Sequence, residues 1–556
     1  MVRLRIVAVL IAGAFSLIWL RLFYWQVVSH DELRDLADSQ HFYRLEIPPA
    51  RGEIRSSDGT PLVTNQTAYL VFAEKKNVTD IEEYAEQVAP VLEMEEASVS
   101  ALLTEHDVWV PIKHQVEAPV VDKIKQLELA GLGFEREDKR FYPETSMAAH
   151  LLGFVGKDAL GRPKGYFGLE GFYDKELAGQ PGFLLQERDA YGNPIVIGKI
   201  DRIEPKHGRS LLLYIDKTIQ FIAETKLKKA LEKYGAKAGN VVIMDPKTGG
   251  ILASASYPNY DPLLFSEFPD EYYRNPIVAD TYEPGSTFKP LVMAKAFDEK
   301  KLKATDTYEE RGPVAVGGYQ IKTWNNEYHG EISMSQILQY SSNVGMVYIS
   351  SKLEKDTMLT FLSDFGLGSK TGIDLQEEAE TFMRSESEWR DIDLATASFG
   401  QGIAVTPIQM VRAISAIAND GILMEPRLVK EIVSDDGKTI AIPPKEVRRL
   451  YSAPTAKVIA ELMVDAVEHG EAKWTVIKGF RIAGKTGTAQ IPVEGHYDSE
   501  KTIASFVGFG PVENPRFVML VTLREPTSSP WGSETAAPLF FDIANELFPY
   551  FGIHPQ

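Results

Sequence analysis

Residues with the chemistry of a nucleophile and its base occur close together in the middle of this 556-residue chain. The stretch "YEPGSTFKP" places Ser286 directly after a Pro-Gly break and three residues before Lys289. Because proline and glycine disfavour a helix interior, the break predicts that a helix begins at Ser286. Lys289 would then lie one turn later on the same face, with its amine within reach of the serine hydroxyl.

A serine nucleophile needs a base, and the sequence offers no obvious histidine partner for Ser286. A lysine with an ordinary pKa of about 10.4 is protonated at neutral pH and cannot accept a proton. Burial and a second nearby cation would both lower the pKa of Lys289. The pattern therefore predicts a buried lysine that lies beside another positive charge.

Two further motifs could supply the groups around this pair. "QYSSNVGMV" places Ser341 and Asn343 two residues apart after an amphipathic segment, as at a break from helix to loop. "RIAGKTGTAQ" places residues 485–488, Lys-Thr-Gly-Thr, in a stretch that favours a β-strand. Each motif alone is commonly a helix cap, a turn or a strand end. Ser-x-x-Lys, Ser-x-Asn and Lys-Thr-Gly in this order are the set found in penicillin-binding proteins and β-lactamases.

The elements around the motifs predict an α+β fold. "NVVIMDPKTGGILASASYP" predicts a hairpin with strands Val241 to Met244 and Ile251 to Ser256. A second hairpin, "SFVGFGPVENPRFVMLVTL", precedes an apolar helix from about residue 538 to 548. Early and late strands with helices between them predict one antiparallel sheet, covered by helices, in which the first and last strands come together.

The N-terminal residues predict a membrane anchor. Arg3 and Arg5 precede an apolar run from Ile6 to Leu20, which is followed by Arg21 and by "LFYWQVV" through Val28. About 23 residues with a rise of about 1.5 Å each can cross a hydrocarbon core of about 30 Å. The arginines before the run predict an N-terminus inside the cell and all later residues outside. A cleaved signal peptide is the alternative, but bulky residues stand where a small-residue cleavage site belongs.

The segment between the anchor and the motifs predicts a β-rich, elongated pedestal. Short alternating runs predict strands, Asp58-Gly59 marks a tight turn between two of them, and "DIEEYAEQVAPVLEM" is the one predicted helix. We interpret this segment as a structural spacer. The predicted domains are residues 1–28 for the cytoplasmic tail and transmembrane anchor, 29–208 for the pedestal, and 209–556 for the part that carries the motifs.

Composition argues against several other classes of protein. The chain has no cysteine, which excludes disulfides, thiolate nucleophiles and cysteine-ligated metals. A net charge of −19 argues against a nucleic-acid partner, which would require a cationic face. The ten histidines are scattered singly, so neither a metal nor a cofactor is expected.

On these residues the chain resembles a class B penicillin-binding protein, a membrane-anchored peptidoglycan D,D-transpeptidase. The resemblance runs nearly end to end. In the pedestal it is carried by "ARGEIRSSDG", "RFYP", "GLEGFYDKELAG" and "DAYGNPI", and after residue 208 by "YEPGSTFKP", "SSNVG", "ASFGQGIAVTPIQ", "AGKTGTAQ" and "AAPLF". Mild departures occur at Arg55 to Asp58, where the family usually has an Asp-Arg pair, and at Val63, where alanine is common. The resemblance implies a pedestal of the dimerisation type followed by a transpeptidase domain.

The resemblance also implies a role for each motif residue. Ser286 would attack the penultimate D-Ala carbonyl of a stem pentapeptide, with Lys289 as its base. Ser341 would pass a proton to the departing amine, and Asn343 would orient Lys289 and the substrate amide. The backbone N-H groups of Ser286 and Thr488 would form the oxyanion hole.

The Lys-Thr-Gly strand would hold the substrate. Lys485 would be the second cation and, with the hydroxyls of Thr486 and Thr488, would bind the terminal carboxylate. Gly487 would let a peptide pair with the strand edge. In the family an amine of a neighbouring stem peptide accepts the acyl group, and a β-lactam acylates the same serine. D,D-carboxypeptidase activity is an expected side reaction, and a polytopic glycosyltransferase is an expected membrane partner.

Three alternatives stay open at this point. A serine β-lactamase shares the motifs but needs neither an anchor nor a pedestal. A β-lactam sensor keeps a related fold behind several membrane spans, whereas this sequence shows one. A largely structural partner or scaffold of the wall-synthesis complex, with weak catalysis, would tolerate loss of Ser286.

Overall fold

The computed structural model describes residues 2–34, 42–105, 108–187, 200–493 and 496–555. The chain forms two compact units, of which the first comprises residues 1–51 and 178–208 and the second residues 52–177 and 209–556. The "DAYGNPI" motif lies outside the described residues.

The first unit contains an apolar helix and a small sheet. The helix runs Val2–Phe23 and ends in a π-helical turn, Tyr24–Val28, and it is long and apolar enough to cross a membrane. The guanidinium of Arg21 lies 4.6 Å from the centroid of the Trp25 ring. The helix is compatible with a single-pass membrane anchor. The antiparallel sheet has the strand order Phe42–Ile47, Gly182–Glu187, Ile200–Ile203.

Residues 68–136 form a small α/β layer with its own core in the second unit. Its antiparallel strands have the order Trp109–Glu117, Ala68–Glu74, Leu132–Arg136, and its helices are Ile81–Leu92, Glu96–Glu105 and Ala118–Lys125. The first of these helices is the predicted one, and Asp80 caps it by accepting hydrogen bonds from two backbone N-H groups. The prediction of a single helix here is wrong. Each of the other two helices has at most 10 residues and buries only two side chains, so few apolar positions mark it in the sequence.

A six-stranded sheet combines three strands from residues 54–141 with three strands from residues 210–441. The predicted Asp58-Gly59 turn connects two of its strands, and Asp58 accepts hydrogen bonds from the Ser56 hydroxyl and the Thr60 N-H. The strand order is Thr439–Ala441, Val429–Val433, Ser210–Leu213, Ile54–Arg55, Pro61–Gln66, Lys139–Phe141. The short elements that follow are Ala149–Leu152, Phe154–Lys157, Pro163–Tyr166, Gly168–Phe172 and Asp174–Ala178.

A five-stranded antiparallel sheet organises residues 209–556. Its strand order is Ile251–Tyr257, Ala238–Met244, Phe517–Arg524, His496–Gly510, Ala483–Val493. Both predicted hairpins are present, and the early hairpin pairs with the late one, which confirms the predicted sheet. The strand that carries Lys-Thr-Gly forms one edge, where one side of its backbone is not used by the sheet.

Helices cover both faces of this sheet because strand side chains alternate between the faces. Val241 and Ile243 pack in one core with the helices Lys217–Tyr234 and Ala536–Tyr550, the second of which is the predicted terminal helix. Val242 lies in the core on the other face. The α-helices after residue 208 that contribute to that core are Pro276–Ala279, Lys289–Asp298, Met334–Gln339, Asn343–Ser351, Lys355–Phe365, Asp391–Ala397, Pro407–Ala418 and Ala453–His469. Three two-stranded antiparallel sheets flank them: Thr307–Glu310 with Gly330–Ser333, Val314–Val316 with Tyr319–Ile321, and Ile422–Met424 with Glu446–Arg449.

The terminal helix provides a test of this packing. Phe548 is fully buried, and its ring stacks on Phe480 with centroids 4.2 Å apart. Phe548→Ala should destabilise the protein by about 3–5 kcal/mol, because a large apolar side chain is removed from a packed core. Phe221→Ala, at a ring that is 58% exposed, should change stability by less than about 0.5 kcal/mol. Denaturant unfolding measures both changes, and equal effects would contradict the described core.

Candidate active site

Ser286 lies on a tight turn at the start of a helix. The turn is a 3-10 helix, Gly285–Phe288, and the α-helix Lys289–Asp298 follows it. The predicted helix start is confirmed to within one residue, although the first turn is 3-10 and α-helical geometry begins only at Lys289. Gly285 adopts a φ of +56°, so the chain enters through a left-handed residue and closes a tighter turn before α-helical geometry begins.

A second glycine holds this turn from outside. The N-H of Gly285 donates to the carbonyl oxygen of Gly400 at 3.0 Å. A Cβ on Gly400 would lie 2.2 Å from the Gly285 carbonyl oxygen, and Gly400 has a φ of +78°. Position 400 therefore accepts only glycine without displacing the serine turn. The sequence motif "ASFGQG" contains Gly400, but the sequence did not indicate that this glycine contacts the serine turn.

Lys289 is the centre of a buried hydrogen-bond network. Its side chain is fully buried, and Nζ lies 2.5 Å from the Ser341 carbonyl oxygen, 3.2 Å from Ser341 Oγ and 2.9 Å from Asn343 Oδ1. The Ser341 hydroxyl lies 2.9 Å from Ser286 Oγ. Asn343 also donates from Nδ2 to the carbonyl oxygen of Lys322 at 3.2 Å. Lys289 thus connects to the Ser286 hydroxyl through Ser341.

The surroundings of Lys289 favour a neutral amine. Burial lowers the pKa of Lys289 well below its ordinary value, and the charge of Lys485 lowers it further. The carboxylates of Glu471 and Glu310 act in the opposite direction on this pKa. Burial together with a second cation is the condition that the sequence predicted for a lysine base.

Ser341 occupies a strained position between two helices. Helix Met334–Gln339 ends just before it, helix Asn343–Ser351 begins just after it, and Ser341 itself has a φ of +54°. The predicted break is thus a short turn between helices. A residue other than glycine in this region costs on the order of 1–3 kcal/mol, and such strain is concentrated at functional sites.

The neighbouring Ser342 holds the turn in place. Its Oγ accepts a hydrogen bond from the Gly345 N-H at 2.9 Å, which caps the second helix. The same hydroxyl donates to Glu310 Oε1 at 2.5 Å. Glu310 is almost fully buried, and its other oxygen accepts a hydrogen bond from the N-H of His329 at 3.0 Å. No sequence motif pointed to Glu310.

The Lys-Thr-Gly strand contributes a line of three polar groups. Lys485 is 3% exposed and Thr486 is 6% exposed. Lys485 Nζ donates to Thr486 Oγ1 at 3.0 Å, and Thr486 Oγ1 donates to Glu471 Oε2 at 2.6 Å. Burial lowers the pKa of Lys485, whereas Glu471 raises it. Sequence reasoning missed Glu471, which lies in the loop after helix Ala453–His469.

Gly487 allows the strand to approach the serine turn closely. A Cβ at this position would lie 2.5 Å from Ser505 Oγ and 2.8 Å from Thr287 Cγ2. The next residue, Thr488, accepts a hydrogen bond at Oγ1 from the N-H of Gly532 at 3.0 Å. The absence of a side chain at position 487 therefore has a packing reason besides the predicted access for a peptide.

Two exposed tryptophans meet at the rim of these motifs. The rings of Trp324 and Trp531 are 47% and 38% exposed, and their centroids are 4.9 Å apart. Trp324 Nε1 donates to the carbonyl oxygen of Tyr340 at 3.4 Å, next to the Ser-x-Asn turn. Trp531 precedes the glycine that donates to Thr488. The pair joins the two sides of the site, and the sequence alone did not single it out.

Four predicted residues therefore share one network: Ser286, Lys289, Ser341 and Asn343. Lys485 acts on this network through its charge. Among the described residues, no group of three or more His, Asp or Glu side chains could hold a metal ion. A hydroxyl connected to a buried amine is the arrangement of a serine acyl-transfer enzyme with a lysine base.

Comparison with known families gives the same class. Residues 239–545 match the family described as the penicillin-binding protein transpeptidase domain, and residues 46–213 match the penicillin-binding protein dimerisation domain. The chain therefore belongs to the class B penicillin-binding proteins, as its motifs predicted. The predicted boundaries at residues 28 and 208 stay predictions.

Individual relatives match along almost the whole chain. The chain is 34% identical to Stage V sporulation protein D of Bacillus subtilis, covering 100% of this chain and 87% of that protein. It is 30% identical to the peptidoglycan D,D-transpeptidase FtsI of Escherichia coli, covering 99% of this chain and 91% of that protein.

Solved structures share the fold. A peptidoglycan synthetase from Bifidobacterium adolescentis aligns with a TM-score of 0.76 at 27% identity, over 93% of this chain and 98% of that one. Penicillin-binding protein 3 from Mycobacterium tuberculosis, complexed with aztreonam, aligns with a TM-score of 0.72 at 26% identity, over 92% of this chain and 98% of that one.

The strain at Ser341 can be measured directly. Ser341→Gly should be more stable than Ser341→Ala by about 1 kcal/mol, because both variants lose the hydroxyl but only glycine adopts a positive φ without cost. At Ser350, inside helix Asn343–Ser351, the order should reverse, because glycine is about 1 kcal/mol worse than alanine in a helix. Thermal unfolding of the four variants decides this, and an Ala variant at 341 as stable as the Gly variant would contradict the strain.

Proposed function

We propose that this chain is a peptidoglycan D,D-transpeptidase that cross-links stem peptides through an acyl-enzyme on Ser286. The observation that carries the proposal is the path from the buried Lys289 amine through the Ser341 hydroxyl to Ser286 Oγ. The name of the Escherichia coli relative supports peptidoglycan as the substrate. The cocrystallised aztreonam in a related protein supports β-lactams as inhibitors that acylate the same serine.

Acylation follows from the hydrogen-bond path. Hydroxyl hydrogens can rotate, so a neutral Lys289 lets Ser286 donate to Ser341 and Ser341 donate to the amine. As Ser286 Oγ bonds to the penultimate D-Ala carbonyl carbon, its proton moves along this path to Lys289. The negative oxygen that forms would accept hydrogen bonds from the backbone N-H groups of Ser286 and Thr488. The serine turn and the strand are close enough for this role, because a Cβ on Gly285 would lie 3.4 Å from the Thr488 carbonyl oxygen.

When the terminal D-Ala leaves, protons are transferred in the opposite direction, away from Lys289. The C-N bond breaks, the departing amine takes a proton from the Ser341 hydroxyl, and Lys289 returns a proton to Ser341. Asn343 holds Lys289 through Oδ1 and can orient the substrate amide with its own amide group. An acceptor amine then attacks the ester carbonyl and gives a proton to Lys289, the C-O bond to Ser286 breaks, and Ser286 Oγ regains a proton from Lys289 through Ser341. Water in place of the amine would give the D,D-carboxypeptidase side reaction.

Lys485 and Thr488 would hold the terminal carboxylate of the substrate. The carboxylate pairs with a buried ammonium, which makes this hydrogen bond stronger than one between neutral groups. The exposed edge of the Lys-Thr-Gly strand would pair with the peptide backbone.

The proposed location follows from the anchor. Residues 2–28 would cross the membrane once with the N-terminus inside, and the catalytic domain would face the cell wall. A polytopic glycosyltransferase that makes the glycan strands would be the membrane partner, contacted by residues 21–28 and the pedestal.

Labelling with benzylpenicillin tests the nucleophile. The full-length protein in detergent should gain one covalent adduct on Ser286, and Ser286→Ala should gain none. Ser341→Ala should acylate about 10²- to 10⁴-fold more slowly, because the proton path is interrupted. Peptide mapping by mass spectrometry locates the adduct, and the helix variant Ser350→Ala is the control. Label on another residue, or label that survives Ser286→Ala, would refute the assignment.

The pH dependence of acylation tests the base. Because the pKa of Lys289 is lowered well below its ordinary value, the rate should reach its plateau well below pH 10 and should fall as the pH drops through that lowered pKa. A lysine with its ordinary pKa would instead give a rate that increases up to about pH 10. Stopped-flow acylation between pH 5 and 10 distinguishes the two, and the second profile would contradict a lysine base.

The orientation can be tested because the natural chain has no cysteine. Single cysteines replace Val2, the first residue of the apolar helix, and Asp435, in an exposed turn. A membrane-impermeant maleimide should label Asp435→Cys in intact spheroplasts, and Val2→Cys only after permeabilisation. The opposite pattern would contradict the orientation.

A further inference from the structure

The carboxylate of Glu471 lies at the candidate active site, but the proposed acylation and transfer steps do not use it. It accepts a hydrogen bond from Thr486 Oγ1 at 2.6 Å, and the same oxygen of Thr486 accepts one from Lys485 Nζ at 3.0 Å. Ammonium, hydroxyl and carboxylate thus form a continuous line. Because the Thr486 hydroxyl has one proton and directs it to Glu471, that proton is not offered to a substrate carboxylate.

The site contains two buried lysines that would be expensive to keep charged together. Lys289 is fully buried and Lys485 is 3% exposed. A buried charge without a partner costs several kcal/mol, and two like charges in one site disfavour each other. The chemistry requires one of them to be neutral and the other to be charged, because the base must accept a proton and the carboxylate needs a cation.

The hydrogen-bond partners of the two lysines differ in charge. The Lys289 ammonium donates to neutral groups, the carbonyl and hydroxyl of Ser341 and the amide of Asn343. The line from Lys485 ends on a carboxylate. This difference favours the proton on Lys485 and an uncharged amine on Lys289.

The other charged group that faces Lys289 is Glu310, on strand Thr307–Glu310. Its two oxygens are used by the hydroxyl of Ser342 and by the backbone N-H of His329, whose ring nitrogen also lies 3.1 Å away. Glu310 therefore holds the Ser-x-Asn turn, whereas Glu471 is the carboxylate connected to Lys485. Glu471 raises the pKa of both lysines, but its hydrogen bonds connect it to Lys485, through Thr486.

We propose that Glu471 is a positioning residue that, through the Thr486 hydroxyl, keeps Lys485 as the charged lysine of the pair and so leaves Lys289 as the neutral base. The proposal rests on the proposed function of Ser286 and Lys289. It also changes the role of Thr486, which positions Lys485, while Lys485 and Thr488 bind the carboxylate of the substrate.

The test compares acylation rates of full-length protein by benzylpenicillin as a function of pH. Glu471→Gln keeps the shape and one acceptor oxygen but removes the charge. The acylation rate should decline at alkaline pH, where Lys485 loses its proton and no longer pairs with the carboxylate of benzylpenicillin. Loss of a negative charge lowers the pKa of a nearby lysine, so in Glu471→Gln this decline should move about one pH unit toward lower pH. The acid limb, set by Lys289, should move less in the same direction.

Two further variants keep the test decisive. Glu468→Gln makes the same change of charge on an exposed residue in the last turn of helix Ala453–His469, and its profile should match the wild type. Thr486→Val removes the hydroxyl that joins Lys485 to Glu471, and it should reproduce the alkaline shift. If Glu471→Gln does not fold, Thr486→Val decides the question by the same criterion.

The outcomes separate this proposal from the proposed function. A wild-type protein without an adduct on Ser286 would overturn both. An adduct on Ser286 together with unchanged profiles for Glu471→Gln and Thr486→Val would overturn only the role of Glu471. An alkaline limb that moves in these two variants and not in Glu468→Gln would support it.

Discussion

The site depends on the burial of an amine beside a hydroxyl. Lys289 has no contact with solvent, and a lysine in that position gives up hydration that the unfolded chain retains. Each pH unit by which burial lowers its pKa costs about 1.4 kcal/mol of stability at pH values below the lowered pKa, and the cost decreases as the pH rises from there to the ordinary pKa. This cost disappears above the ordinary lysine pKa, so stability contributed by this residue rises with pH. The apolar core that includes the helix Lys289–Asp298 must offset this cost.

Three segments from distant parts of the chain meet around that amine, and each depends on a residue with a positive φ or without a side chain. The serine turn requires Gly285 and Gly400 at positive φ, the Ser-x-Asn turn requires Ser341 at positive φ, and the edge strand requires the missing side chain of Gly487. These constraints explain why the motifs contain small residues. The large cores around the sheet hold the strained segments in place.

Local patterns in the sequence were sufficient for much of the fold. Both hairpins, the meeting of early and late strands and the terminal helix were predictable, because alternation and turn residues define them within short windows. The pedestal helices Glu96–Glu105 and Ala118–Lys125 were missed, because each buries only two side chains. The helix start was predicted to within one residue, but its tight 3-10 first turn was not, because that turn depends on Gly400, which no local pattern connects to it.

The site could be predicted as far as its motifs extend. Ser286, Lys289, Ser341 and Asn343 do meet, and Lys485 affects the pKa of Lys289 as expected. Contacts between the motif residues and residues outside the motifs could not be predicted from the sequence.

Glu471 shows why, since a glutamate in a polar stretch after a helix resembles any solvated residue until the fold places it 2.6 Å from a strand hydroxyl. The same holds for Trp324 and Trp531, which come from loops far apart in the chain.

The charge of Lys289 is the central claim, and a direct titration of its amine tests it best. Isotope-labelled lysines in the full-length protein can be followed by NMR between pH 5 and 12, with Lys289→Arg used to assign the signal. The arrangement described here predicts that the Lys289 amine loses its proton well below the pH at which the exposed lysines do. A Lys289 amine that titrates together with the exposed lysines, near pH 10, would contradict it.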